Sequence, residues 1–125
     1  AGDVDAFVDR WLTEDCVFHL GTRKNTGRES IRAFLEGLKR DGIREVLRPQ
    51  RVLTSAKLLF AEVDIDFHAT RDEPKLSFAT LKRGEFVTVK YFLLHTIRDG
   101  KVAHLEGAHW PAGEGVTTPV PRPRN

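Results

Sequence analysis

An Asp-Gly pair at residues 99 and 100 separates two stretches of alternating character, "FVTVKYFLLHTIR" and "KVAHLEGAHW". Asp-Gly takes the positive φ angles of a two-residue reverse turn, so these stretches are expected to fold back on each other as an antiparallel hairpin. Val87, Val89, Tyr91, Leu93 and Ile97 are much more apolar than Thr88, Lys90 and Thr96, which makes the odd face of the first strand the inward one. With Arg98 opposite Lys101, an unbroken ladder sets Ile97 against Val102, His95 against His104, Leu93 against Glu106 and Tyr91 against Ala108. That register predicts two imidazoles and a carboxylate converging on the inner face. His109 falls on the opposite face, and His68 on the polar face of its own strand beside Glu62, Asp64 and Asp66.

A hairpin with one apolar face needs a partner layer. Val4, Phe7, Val8 and Trp11 recur at helical spacing behind Asp3, which predicts a short amphipathic helix over 4–12. "TGRESIRAFLEGLKRDG" predicts a second helix: Thr26 and Glu29 read as a capping box, Ile31, Phe34, Leu35 and Leu38 make one stripe, and Gly42 stops it. Between the helices, Cys16 to Leu20 reads as a short strand followed by the polar loop "TRKNTG". From Arg44 the period becomes two, and "EVLRPQRVLTSA", "LLFAEVDIDFHAT" and "KLSFATLK" read as strands leading into the hairpin, mostly antiparallel because the connections are short. Helices first and strands after predict an α+β domain over 1–112, a curved sheet wrapped over N-terminal helices. The Pro- and Gly-rich residues 113–125 read as an extended or disordered tail.

At 125 residues the chain suits one domain, and no apolar run approaches the ~20 residues of a bilayer span. The net charge of +2 comes from basic residues scattered among acids, which argues against nucleic-acid binding. The single cysteine, Cys16, excludes an internal disulfide and a cysteine-rich zinc site, and reads as a small core residue. With no leader of signal-peptide type, the expected setting is cytoplasmic.

Histidine titrates near neutral pH, and a glutamate bonded to one ring nitrogen fixes the tautomer and raises basicity. His95, His104 and Glu106 are therefore candidate proton carriers, with Tyr91 as a hydroxyl donor to a substrate oxygen and Leu93 beside it. Two other readings stay open: structural histidines around a buried water, and three ligands for a metal ion. His19 faces inward only if Val17 and His19, rather than Cys16, Phe18 and Leu20, form the inner side of their strand. Trp110 shares the inner parity, as part of a pocket mouth or packed on the first helix. Phe92 and Leu94, with Leu105 opposite Leu94, make the outer face apolar enough for a partner.

"DVDAFVDRWLTEDCVFHLG", "GRESIRAFLEGL" and "FLLHTIRDGKVAHLEGAHW", in this order and spacing, resemble the SnoaL-like or ketosteroid-isomerase-like branch of the NTF2-like superfamily. The resemblance implies a cone of bent antiparallel sheet closed by helices around a cavity, and frequent homodimers through the outer sheet face. It also implies cofactor-free isomerisation, dehydration, epoxide opening or ring closure on a compact apolar or polycyclic molecule, by an inward acid and base and without a metal. On that resemblance His19 stands nearest the isomerases' base, though their Asp-Pro is absent, while His95 with His104 or Glu106 corresponds to the cyclases' pair. Tyr91, Leu93, Trp110 and Val17 would then line the substrate. The other class of function is a non-catalytic ligand-binding or dimeric interaction module.

Overall fold

The computed structural model describes residues 3–76 and 79–110, with the backbone of Val120 and Pro121. Helix α1 (Val4–Trp11) leads into strand β1 (Leu12–Leu20), β2 (Arg23–Thr26) and helix α2 (Arg28–Arg40). Strands β3 (Ile43–Thr54), β4 (Leu58–Ala69), β5 (Glu85–Arg98) and β6 (Lys101–His109) follow, with Val120–Pro121 as a short β7. The sheet order is β2-β1-β6-β5-β4-β3, and β7 lies against the start of β5. This is the expected α+β curved sheet with both helices on one face.

Asp3 caps α1 by accepting from the amides of Asp5 and Ala6. Val4 and Val8 of α1 and Ile31 of α2 bury against Cys16, Phe18, Val63, Ile65, Phe67, Val87 and Val89 of the sheet. Three local expectations are corrected. Thr26 pairs with Val17 in β2, so it is not free to cap α2; Gly27 at φ 86° takes that position and donates its amide to the Cys16 carbonyl at 2.7 Å. The "TRKNTG" segment is thus a strand edge rather than only a loop. None of the described residues of "KLSFATLK" is in a strand. The tail lies outside the described residues except for the two residues of β7. One pairing is also parallel, that of β1 with β6.

The hairpin begins in the expected register, with Arg98 opposite Lys101 and Ile97 opposite Val102. It then slips by one residue: Thr96 pairs with His104, His95 with Leu105, Leu94 with Glu106, Leu93 with Gly107, Phe92 with Ala108 and Tyr91 with His109. Ala103 is the extra residue of a β-bulge. The cause lies in β6 itself. Val102 and Leu105 both pack on the core, but three residues apart they fall on opposite faces of a regular strand. The bulge turns both inward and leaves Leu105 only 9% exposed, a burial contributing about 1.5–3 kcal/mol. It also takes the Glu106 carboxylate off the inner face, where burial without a partner costs several kcal/mol.

Candidate functional site

Beyond the bulge the even residues of β6 point away from the helices, which corrects the predicted site. His104 and Glu106 lie on the outer face, opposite to His95. His104 Nε2 and Glu106 Oε1 stand 3.9 Å apart, with side chains 38% and 53% exposed. The parallel register of β1 and β6 sets Val17 beside His104 and His19 beside Glu106. Val17 and His19 are therefore outer residues, while Cys16 and Phe18 are buried on the inner side. Trp110 meets the ring of Phe92 edge-on at 5.9 Å, so it belongs to the outer face and neither lines an inner pocket nor packs on α1. Leu105 is a core residue and leaves the predicted partner surface. Among the described residues no group of three or more His, Cys, Asp or Glu is placed to hold a metal ion.

Tyr91, Leu93 and His95 keep their predicted place on the concave inner face, joined there by Leu105, Gly107 and His109 of β6. Leu93, 6% exposed, fills the middle. A Cβ on Gly107 would stand 2.5 Å from Leu93 Cδ2 and 2.9 Å from Leu20 Cδ2, so this glycine is what lets both leucines close over β6. His95 lies at one end, its Nδ1 3.1 Å from the Leu59 carbonyl oxygen. We assign the Nδ1 hydrogen as the donor in that contact, which leaves Nε2 as an acceptor.

At the other end is a carboxyl group that the sequence reading missed. Glu45 pairs with Phe67, whose side chain is buried in the core, so Glu45 shares the inner face. The neighbouring Arg44 and Arg48 alternate to the outer face, where Arg48 holds Asp66 through two hydrogen bonds of 2.8 and 2.9 Å. Glu45 is half-buried, has no hydrogen-bond or ion-pair partner among the described residues, and has its pKa raised by burial. Tyr91 stands within its electrostatic reach. Burial first, and then the charge of Glu45, raise the phenol's pKa, so the hydroxyl keeps its proton. The Tyr91 ring lies 6.3 Å from that of Phe67, and His109 meets it edge-on at 5.7 Å. The signal for Glu45 was available in "IREVL": it occupies the parity of Ile43 and Leu47, a charge where the alternation calls for an apolar residue.

Two outer-face carboxylates of β4 are neutralised within the chain. Arg51, and Lys90 at 2.6 Å, hold Glu62 and lower its pKa. For Asp66 desolvation pulls the other way, but the bonds from Arg48 and Thr88 prevail and lower it. Cys16 is pushed up to about 11 by burial, which makes it an unreactive core thiol. An open depression of about 510 Å³ near the Asp99 turn is lined by equal numbers of acids and bases. Its cations are already engaged: Arg98 with Asp15, and Arg28 and Lys101 with the carbonyls of Leu12 and Asp9 at the end of α1.

The SnoaL-like domain family matches residues 1–105. Among solved structures, a candidate polyketide cyclase from Pseudomonas putida is 22% identical with a TM-score of 0.72, covering 93% of this chain and 87% of that one. A candidate polyketide cyclase from Xanthomonas campestris is 20% identical with a TM-score of 0.71, over 86% and 78% of the two chains. An epoxide hydrolase of LEH-like type from M. tuberculosis is 14% identical with a TM-score of 0.65, over 86% and 70%. No curated protein matches the sequence. At these identities the structural likeness establishes the fold, an NTF2-like curved sheet.

Proposed function

The chain belongs to the SnoaL-like family, and from that premise we propose that it is an acid–base enzyme for a compact apolar molecule, working at the Glu45 and Tyr91 end of the concave face. The observation that carries this reading is the unpartnered, half-buried Glu45 carboxyl within electrostatic reach of the Tyr91 hydroxyl. A carboxyl that holds its proton above the ordinary carboxylate range can deliver it to a substrate oxygen and take one back in its ionised form. The Tyr91 hydroxyl donates a hydrogen bond to the same or a neighbouring oxygen as negative charge develops on it. His95, four residues along β5 and about 13 Å away at the backbone, serves the far end of the face as an acceptor through Nε2. Isomerase, cyclase, dehydratase and epoxide-opening reactions all fit this equipment, and the solved relatives include polyketide cyclase candidates and an epoxide hydrolase. The test is turnover of a panel of enolisable ketones and small epoxides by the native protein and by Glu45→Gln. Loss of activity in the variant is expected, and undiminished turnover would refute the role of Glu45.

A second reading, a binding or dimeric interaction module without chemistry, is favoured by the way Leu93 and Phe67 fill the middle of the face. In either case a homodimer through the outer sheet face is proposed. Its core would be Phe60 stacked on Phe92 at 6.1 Å, with Trp110, Leu53, Leu58 and Leu94 around them. Leu53 and Trp110 are 73% and 57% exposed. Glu62 and Asp66 beside this patch already hold their own counter-charges. Among the described residues no helix is long and apolar enough to cross a membrane. The lone buried thiol suits a reducing, cytoplasmic setting.

A further inference from the structure

We propose that the Glu45 end of the concave face takes an organic cation, an ammonium group bearing apolar substituents, with the Glu45 carboxylate as its counter-ion and the rings of Tyr91 and His109 as its walls. This rests on the reading of Glu45 and Tyr91 as the working site and adds the class of ligand. Glu45 is the one inner-face carboxyl described on β3, and among the described residues no basic side chain pairs with it. The arginines on either side of it in sequence, Arg44 and Arg48, are turned to the other face by the strand alternation. Glu62 and Asp66 on β4, by contrast, each hold a cation on the outer face.

Aromatic surface is concentrated at the same place. Tyr91 and His109 stand edge to face at 5.7 Å, both half-buried and open to solvent, with Phe67 behind Tyr91 at 6.3 Å. The half-exposed Leu47, on the inner face two residues along β3, offers apolar contact to the substituents. An ammonium ion is attracted both by a carboxylate and by ring faces, and its apolar substituents lose little when they leave water. A compact inorganic cation is strongly hydrated and gives up more to reach the rings than an alkylated ammonium does. Of the titratable groups described on the inner face, Tyr91 is the one that feels the charge of Glu45, and His109 lies beyond it on β6. When a tertiary amine arrives neutral, the Glu45 carboxyl gives its proton to the nitrogen, forming carboxylate and ammonium. When a quaternary ammonium arrives, that proton goes to solvent.

Benzyltrimethylammonium and its neutral isostere neopentylbenzene are the probes, titrated calorimetrically into the full chain at mildly acidic pH in two buffers of different ionisation enthalpy. The expected result is binding of the cation with proton release, with the isostere weaker by about tenfold or more. Glu45→Gln should lose the cation by a similar factor, and Tyr91→Leu should weaken it while Tyr91→Phe, which keeps the ring, retains it. Failure of the cation to bind, equal binding of the isostere, or undiminished binding by Glu45→Gln would each overturn the proposal. A pH titration of the Glu45 carboxyl by NMR separates the two levels. A raised midpoint with no cation affinity removes the ligand class alone, whereas an ordinary midpoint also removes Glu45 as the acid of the proposed function.

Discussion

Truncating Leu105 to alanine tests the β-bulge against the regular hairpin. With the bulge, Leu105 is 9% exposed on the core face, while His104 and Glu106 are 38% and 53% exposed on the other. Removing a buried leucine side chain costs about 2–5 kcal/mol, partly in lost transfer and partly in the cavity left behind. Truncating His104 or Glu106 should stay within about 0.5 kcal/mol, as at other exposed positions. Domains of this size are stabilised by about 5–15 kcal/mol in all, so the first effect is a large share. In equilibrium urea unfolding, with a slope of about 1–3 kcal/mol/M, Leu105→Ala should lower the midpoint by about 1–2 M, and the two polar variants should overlay the parent. Deleting Ala103 supplies a second arm. It joins the Ile97–Val102 and Thr96–His104 pairs into one continuous ladder with every face unchanged, so the variant should remain folded within about 1 kcal/mol of the parent. A Leu105→Ala variant indistinguishable from the parent, together with a strongly destabilised His104→Ala, would refute the bulge and restore the unbroken register.

Glu45→Gln should become increasingly stabilising relative to the parent as pH rises. A carboxyl whose pKa is raised in the folded state supports folding below its unfolded value and loses that support as pH climbs through the folded one, so the two unfolding midpoints should converge in acid and diverge toward neutrality. A pH-independent difference would contradict the burial of Glu45. Gly107→Ala should cost about 1–3 kcal/mol, because its Cβ collides with Leu93 and Leu20; thermal unfolding measures it, and an unchanged midpoint would show that the leucines give way freely. Charged replacements at Phe60 and Phe92 should convert a dimer to monomers in sedimentation or sizing experiments, and an unaltered mass would place any interface elsewhere.

The helices and most strands were legible because their periods are clean: Ile31 on α2, and Val87 and Val89 on β5, are buried as the alternation requires. The Asp99-Gly100 turn was equally legible, and its first two pairs formed as expected. What failed was the assumption that a register set at a turn persists. On β6 the competing demands of Val102 and Leu105 decided the faces, and counting apolar residues along that strand alone would have exposed the conflict. The same slip moved His109 inward and His104 outward, reversing the two. Glu45 sits on β3, two strands from the histidine-bearing hairpin, and only its shared parity with Ile43 and Leu47 marks it as inward-facing. The "KLSFATLK" segment alternates too weakly to specify a strand.

The parallel seam between β1 and β6 has a consequence for how the chain reaches this shape. It brings Val17 beside His104 and His19 beside Glu106, so the centre of the sheet unites segments from nearly opposite ends of the sequence. Contacts of such long range close only after the intervening loop entropy has been overcome, which places this seam among the late events of folding. The meander of β3, β4 and β5, made of neighbours in sequence, is free to assemble before it.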